Sequence, residues 1–235
     1  IILSQIKYKT ILFKLNLLYK NKKILGIILA RSESKRLKYK NILNFCGKPL
    51  FYWTLLAAKK SKYLDNIIIS TNDKKIINYT KKLSYVETTI RSEKLCGHNI
   101  TSEDVVLDLI SKLEKKFDVI VVLQPTSPLR KSLDIDYAIR KMINENDKFI
   151  VSVCHRRKSH KYMIETKKGY FKRIKKKSSG YALNGAIYAA ETSYFKKTRS
   201  FFTKKTLIFP MPASRSVDID TFEDFNMAKS KFKNK

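Results

Sequence analysis

Five short aliphatic runs, separated by stretches of helical periodicity, constrain this chain more than any other feature. They are Ile24–Ala30, Asn66–Ser70, Val119–Gln124, Phe149–Val153 and Tyr181–Ala190, and each reads as a strand. Between the first two lies PLFYWTLLAAKKSKY, where Pro49 suits a first helical turn and Leu50, Trp53 and Ala57 share a face. A second helix is predicted in TSEDVVLDLISKLEKKF. Thr101 and Asp104 have capping-box spacing there, and Val105, Val106, Leu109, Ile110 and Leu113 recur at helical intervals. Further helices are predicted from Ser132 to Ile143 and from Phe222 to Phe232. Strand–helix–strand alternation predicts an α/β fold: a mostly parallel sheet with helices on both faces.

The stretch HRRKSHKYMIETKKGYFKRIKKKSS breaks that rhythm. KYMIE and GYFKRI are short alternating strands joined by a Lys-Lys-Gly turn, so residues 154–180 are read as an inserted hairpin arm. Residues 24–153 and 181–235 then form the main domain. The first 23 residues carry no acid, and Lys7, Lys9 and Lys14 interrupt their apolar positions. Such a segment does not cross a bilayer cheaply and lacks the pattern of a secretory signal. It is read as an N-terminal extension of unknown role.

Hydrophobic residues make up 43% of the 235, a globular composition. A net charge of +30 points on its face to nucleic acid or an anionic membrane. Lysines, however, outnumber arginines 40 to 10 and occur in every segment, the pattern of a solvated surface. No nucleic-acid or membrane partner is expected. Cys46, Cys96 and Cys154 form no CxxC pair, and an odd set of scattered thiols makes no disulfide framework. A reducing cytoplasm is the simple inference. His98, His155 and His160 lack metal-site spacing.

In doubly wound sheets, ligands lie beyond the carboxyl ends of strands, and the first run leads into ARSESKRLKYKN. Arg31, Lys35 and Lys40 there can neutralise a triphosphate, although neither GxxxxGK[ST] nor GxGxxG is present. A solvated basic loop is the other reading. In SVDIDT, Asp218 and Asp220 are two apart, so extended backbone turns both to one side. Two such carboxylates repel unless a cation lies between them, which suits Mg²⁺ held together with substrate phosphates. A loop Asp followed by a helix N-cap, with Thr221 another possible cap, is the alternative. QPTSPLR presents Gln124, Thr126, Ser127 and Arg130 on a rigid turn. NGAIY marks either a bulge or a close approach of backbone or ligand.

ARSESKRLKYKN, GKPL, IIISTND, LQPTSPLR, NGAIYAAE and SRSVDIDTFEDF occur in this order. With them the chain, over roughly residues 24 to 230, resembles the acylneuraminate cytidylyltransferases, or CMP-sialic acid synthetases, which include bacterial enzymes for legionaminic and pseudaminic acids. The resemblance implies a Rossmann-like nucleotidyltransferase fold, with residues 154–180 as a dimerisation arm of a homodimer. It also implies a reaction: the anomeric hydroxyl of a nonulosonic acid attacks the α-phosphorus of CTP and pyrophosphate leaves. Arg31, Lys35, Lys40 and Asn41 match the family's nucleotide loop, with Lys35, Lys40 and Asp218 given catalytic roles. Arg91 and Ser102 match contacts near the base. Gln124, Asn184 and Tyr188 match sugar contacts, and Lys161, Phe201 and Phe202 a cation and aromatic pair near the sugar. Asp218 and Asp220 match the Mg²⁺ ligands.

Three positions depart from the family pattern. Arg36 stands where Gly is frequent, Ala182 where Arg is frequent, and His98 where an acid is common. They bear on the identity of the sugar more than on the reaction. The related 3-deoxy-manno-octulosonate cytidylyltransferases share the early loop and GKP, whereas NGAIY and SVDIDT favour the acylneuraminate branch. A basic nucleic-acid-binding module, or a paralogue without turnover, are the readings from other classes.

Overall fold

All five apolar runs form strands. The computed structural model describes residues 21–34, 36–97, 99–156, 163–167, 170–173 and 180–233. Its first strand, β1 (Ile24–Leu29), is buried along its whole length. Alternation of side chains sends Ile24 and Ile28 into one apolar cluster, and Leu25, Ile27 and Leu29 into another. A strand with no polar side must be covered twice, and the helices do this. On one face lie α1 (Leu50–Lys59), α2 (Lys74–Thr80) and α4 (Ser132–Asn144), which contribute Phe51, Leu55, Ile76, Ile135 and Ile139. On the other lie α3 (Ser102–Ser111) and α5 (Thr192–Thr198), with Val105, Val106, Leu109 and Phe195. Each fully buried branched or aromatic side chain is worth about 1.5–3 kcal/mol, so the sheet is a rigid platform.

Among the described residues the sheet has nine strands. β5 (Glu87–Ile90), β4 (Asn66–Thr71), β1 and β6 (Val119–Leu123) are parallel neighbours. β10 (Gly180–Glu191) then runs antiparallel between β6 and β7 (Phe149–Arg156), and β11 (Leu207–Pro210) lies parallel to β7. The expected hairpin is present as β8 (Met163–Lys167) and β9 (Tyr170–Arg173). It is not detached from the domain, because β9 pairs with β11 and β8 with β10. Residues 1–20, most of the expected extension, lie outside the described residues, as do Lys35, His98 and Lys161. The sheet therefore fits the mostly parallel expectation, with β9 and β10 reversed.

A third, smaller cluster positions the acidic segment. Phe45, Leu50 and Leu129 pack with Val217, Ile219 and with Phe225 of α6 (Phe222–Lys233). A short ribbon, β2 (Asn44–Phe45) with β3 (Lys48–Pro49), supplies Phe45. Just upstream of the acids, Arg215 donates Nε and Nη2 to Asp134 at the start of α4, at 2.9 and 2.7 Å.

Candidate active site

Along residues 216–220 side chains alternate as in a strand, although no strand among the described residues pairs with the segment. Val217 and Ile219 point into the third cluster, so Asp218 and Asp220 turn the other way, into a cleft of about 290 Å³. The Ile219 N–H donates to the Thr126 carbonyl, docking the segment against the QPTSP turn that follows β6. Thr221 caps α6: its hydroxyl accepts from Asp224 N–H, while Asp224 accepts from the N–H groups of Asp220 and Thr221. Because Thr221 takes this task, the Asp220 carboxylate is left to the cleft.

The loop after β1 faces these acids. Its ends are tied together by Asn41 Nδ2, which donates to the Arg31 carbonyl at 2.8 Å. Ser32 N–H donates to Asn72 beyond β4. Lys40 is buried, and its Nζ donates to the Ile219 carbonyl at 2.7 Å and to Asp220 Oδ1 at 3.0 Å. Arg36, on the exposed side, donates Nη2 to Asp220 Oδ2 at 2.6 Å. The basic loop and the acid pair therefore form one site.

Burial pushes the Asp218 carboxyl up to about 6; the Thr126 hydroxyl opposes this and the charge of Asp220 adds to it. Gly185 explains part of the burial. It has φ +70 in a break of the β10 register between Leu183 and Tyr188, and a Cβ there would meet Asp218 Oδ2 at 3.0 Å. NGAIY is thus both a bulge and a close approach.

The remaining walls come from three strand ends and one helix. Arg91 follows β5. It donates Nε and Nη2 to Ser70 Oγ and carbonyl, and burial draws it down to about 10, still cationic at neutral pH. The Thr101–Asp104 box forms as expected, with Thr101 Oγ1 accepting from Asp104 N–H and Asp104 accepting from Thr101 N–H. This sets Ser102 at the cleft, where its Oγ accepts from Gln124 Nε2 at 3.3 Å. Leu29, Leu95, Ile100 and Val105 give one part of the cleft an apolar lining.

Arg31, Lys40, Asn41, Arg91, Ser102, Gln124, Tyr188, Asp218 and Asp220 all line this one cleft. Lys35 and Lys161 lie outside the described residues. Two expected sugar contacts, Asn184 and Phe201, are buried and do not line the cleft. Asn184 is 1% exposed: its Oδ1 accepts from Ser152 and its Nδ2 donates to Ser216, so it braces β10 beneath the cleft. Phe201 is also 1% exposed and packs on Phe195, ring centres 4.4 Å apart, within the core. Phe202, half-buried, sets its ring edge against Tyr188 at 5.8 Å. These aromatics support Tyr188 from behind. Arg130 is likewise turned inward; its Nη1 donates to the carbonyls of Gln124 and Ala186. Gly185, the apolar wall and the Arg36–Asp220 pair were not assigned from sequence, since each depends on which loops meet across the sheet.

Two charged groups of opposite sign share the cleft: Arg31, Lys40 and Arg91 against Glu33, Asp218 and Asp220. A purely anionic ligand fits badly beside Asp218, whose carboxylate makes no ion pair among the described residues. A divalent cation would supply the missing charge. No cluster of three or more His, Cys, Asp or Glu side chains occurs among the described residues, so phosphate oxygens and water would complete its shell, the habit of Mg²⁺. The residues fit that ion.

A cytidylyltransferase family profile matches residues 25–234. The CMP-N,N'-diacetyllegionaminic acid synthase of Legionella pneumophila is 31% identical over 223 residues, 88% of this chain and 95% of that protein. The pseudaminic acid cytidylyltransferase of Campylobacter jejuni is 28% identical, covering 90% of this chain and 97% of its own. The N-acylneuraminate cytidylyltransferase of Streptococcus agalactiae is 32% identical over 85% of this chain, but that match spans only 51% of the streptococcal protein. A solved CMP:2-keto-3-deoxy-manno-octonic acid synthetase complexed with CTP superposes with a TM-score of 0.72 at 14% identity, covering 90% of this chain and 99% of that one, and shows the shared fold. Strand order, a cleft beyond the strand ends and a match along nearly the whole sequence agree: the chain belongs to the cytidylyltransferase family.

Proposed function

We propose that the protein joins CMP from CTP to the anomeric hydroxyl of a nonulosonic acid and releases pyrophosphate, with Mg²⁺ between Asp218 and Asp220. The observation that carries this reading is the meeting of the acid pair with the loop after β1, through Lys40 and Asp220 at 3.0 Å. A paired carboxylate opposite fixed cations suits a metal–polyphosphate, which needs both signs. The names of the relatives supply the sugar class and the nucleotide.

The protein's own work is placement and charge balance. The apolar lining from Leu95, Ile100 and Val105 suits a flat base, with Ser102 and Arg91 beside it. Lys40, fixed by two hydrogen bonds, places a positive charge beside the phosphates and offsets charge growing on the leaving pyrophosphate. Gln124 and Tyr188 line the same cleft, and we assign them to the sugar. When bound, Mg²⁺ would polarise the phosphate oxygens and acidify the attacking hydroxyl. We include in the proposal a homodimer using residues 154–180 and a cytoplasmic setting. The latter is supported by three free thiols. No described helix is long and apolar enough to cross a membrane.

A pyrophosphate-release panel tests the reading. CTP, UTP and ATP are each offered with N-acetylneuraminate, legionaminate, pseudaminate and 3-deoxy-manno-octulosonate. Release with CTP and a nine-carbon acid, abolished by EDTA, supports it. Release only with the octulosonate moves the protein to the neighbouring branch. Absence of release with every pair contradicts it. Light scattering at twice the chain mass checks the dimer.

A further inference from the structure

Asp220 carries two cations of different character. Lys40 is buried and anchored by a second hydrogen bond to the Ile219 carbonyl. The Arg36 side chain is 65% exposed, and among the described residues its guanidinium makes one hydrogen bond, to Asp220 Oδ2 at 2.6 Å. A cation on an exposed stem with one contact is released easily, whereas Lys40 is not.

We propose that Arg36 is an exchangeable counter-ion for Asp220. It holds the carboxylate while the cleft is empty, keeps free divalent cations from occupying it, and yields when a polyphosphate arrives. The physical argument is competition. One oxygen of Asp220 is taken by Lys40 and the other by Arg36, so a metal approaching alone must displace a hydrogen-bonded cation and is repelled by it. A metal that arrives with a polyphosphate brings a new anionic partner for the displaced guanidinium, whose planar fork matches phosphate oxygens. Arg36 thereby couples metal binding to nucleotide binding, and by linkage the coupling is reciprocal. The inference rests on the acid pair being the metal site.

The test is direct Mn²⁺ binding followed by electron paramagnetic resonance, with and without CTP. Wild type is compared with Arg36→Ala, Arg36→Lys, Asp218→Asn, Asp220→Asn and the double variant Arg36→Ala/Asp220→Asn. Without nucleotide, Arg36→Ala should bind Mn²⁺ roughly three- to ten-fold more tightly than wild type, and Arg36→Lys less so. The gain should vanish when Asp220 is Asn. The factor by which CTP tightens Mn²⁺ binding should shrink correspondingly. Unchanged Mn²⁺ affinity in Arg36→Ala, at a site that Asp220→Asn weakens, overturns the inference and leaves the metal site standing. Mn²⁺ binding that neither Asp218→Asn nor Asp220→Asn weakens removes the metal site and the inference together. Circular dichroism melts confirm that each variant is folded.

Discussion

Asp218 is placed where a carboxylate is costly. Burial holds its proton up to about 6, against 3.8 for the free side chain, so the native chain keeps that proton more tightly than the unfolded chain does. Native stability from this group falls as pH rises through that interval and stays reduced at neutral pH. In chelator at pH 7.5, Asp218→Asn should melt no lower than wild type, and higher if the shape is preserved. Its turnover should fall by about 10² or more, because the fixed charge proposed to orient metal and phosphates is gone. Melting curves beside pyrophosphate assays separate the two effects. A large drop in melting temperature together with near-normal turnover would contradict the assignment.

Arg130 makes a second case at this scale. Burial draws its guanidinium down to about 9, while two of its nitrogens, Nε and Nη2, find no hydrogen-bond partner among the described residues. Its remaining bonds join the Gln124 and Ala186 carbonyls, one on each side of the cleft floor. Arg130→Met removes those bonds and also an expensive buried charge, so the two stability effects offset. We expect a melting temperature within a few degrees of wild type and kcat/KM lowered about ten-fold or more. A variant with unchanged kinetics would show that Arg130 does not set the floor.

Among the elements, the bulge in β10 is the most exacting. Gly185→Ala puts a Cβ 3.0 Å from Asp218 Oδ2 and an alanine at φ +70, a left-handed value that costs about 1–2 kcal/mol. Denaturant unfolding should show that loss, and activity should fall further because Asp218 is pushed aside. The α3 cap gives a contrast. Thr101→Ala should cost about 1 kcal/mol in the same assay and raise KM for the nucleotide, since the cap positions Ser102.

This is also the scale at which the sequence was most and least informative. Long apolar runs announced β1, β4, β6, β7 and β10, and the Thr101–Asp104 spacing announced the start of α3. The short strands β5 and β11 were not anticipated, because ETTI and LIFP are four residues each and gain their pairing only from neighbours already in place. Asn184 and Phe201 sit in the right stretch of chain for the cleft. Which side of a bulged strand or an aromatic cluster a residue takes is settled by packing, and both went inward.

Across the whole molecule, the charge of +30 is spread along the sequence, while the described lining of the cleft balances three cations with three acids. Affinity for polyanions in general therefore follows from the surface, and discrimination from the acid pair. Arbitrary DNA should bind weakly and be released by moderate salt. The architecture places the assigned cleft residues at the carboxyl ends of the parallel strands, at the start of α3, on the bulged strand β10, or along the 216–220 segment docked onto those ends. That is why four of the six sequence blocks, individually ambiguous, line one cleft, while GKPL and IIISTND brace it through Leu50 and Asn72. Of the two readings of SVDIDT, the helix cap falls to Thr221, which leaves Asp220 facing Lys40.

The central claim is that one metal–nucleotide lies between the acid pair and the loop after β1. It is tested most directly by a crystal structure with Mn²⁺ and CTP, locating the metal by its anomalous signal. The account predicts a peak about 2.1 Å from carboxylate oxygens of both Asp218 and Asp220, with the triphosphate running past Lys40 and Arg31. A metal bound away from that pair, or a triphosphate lying outside the loop formed by residues 31–41, would contradict it.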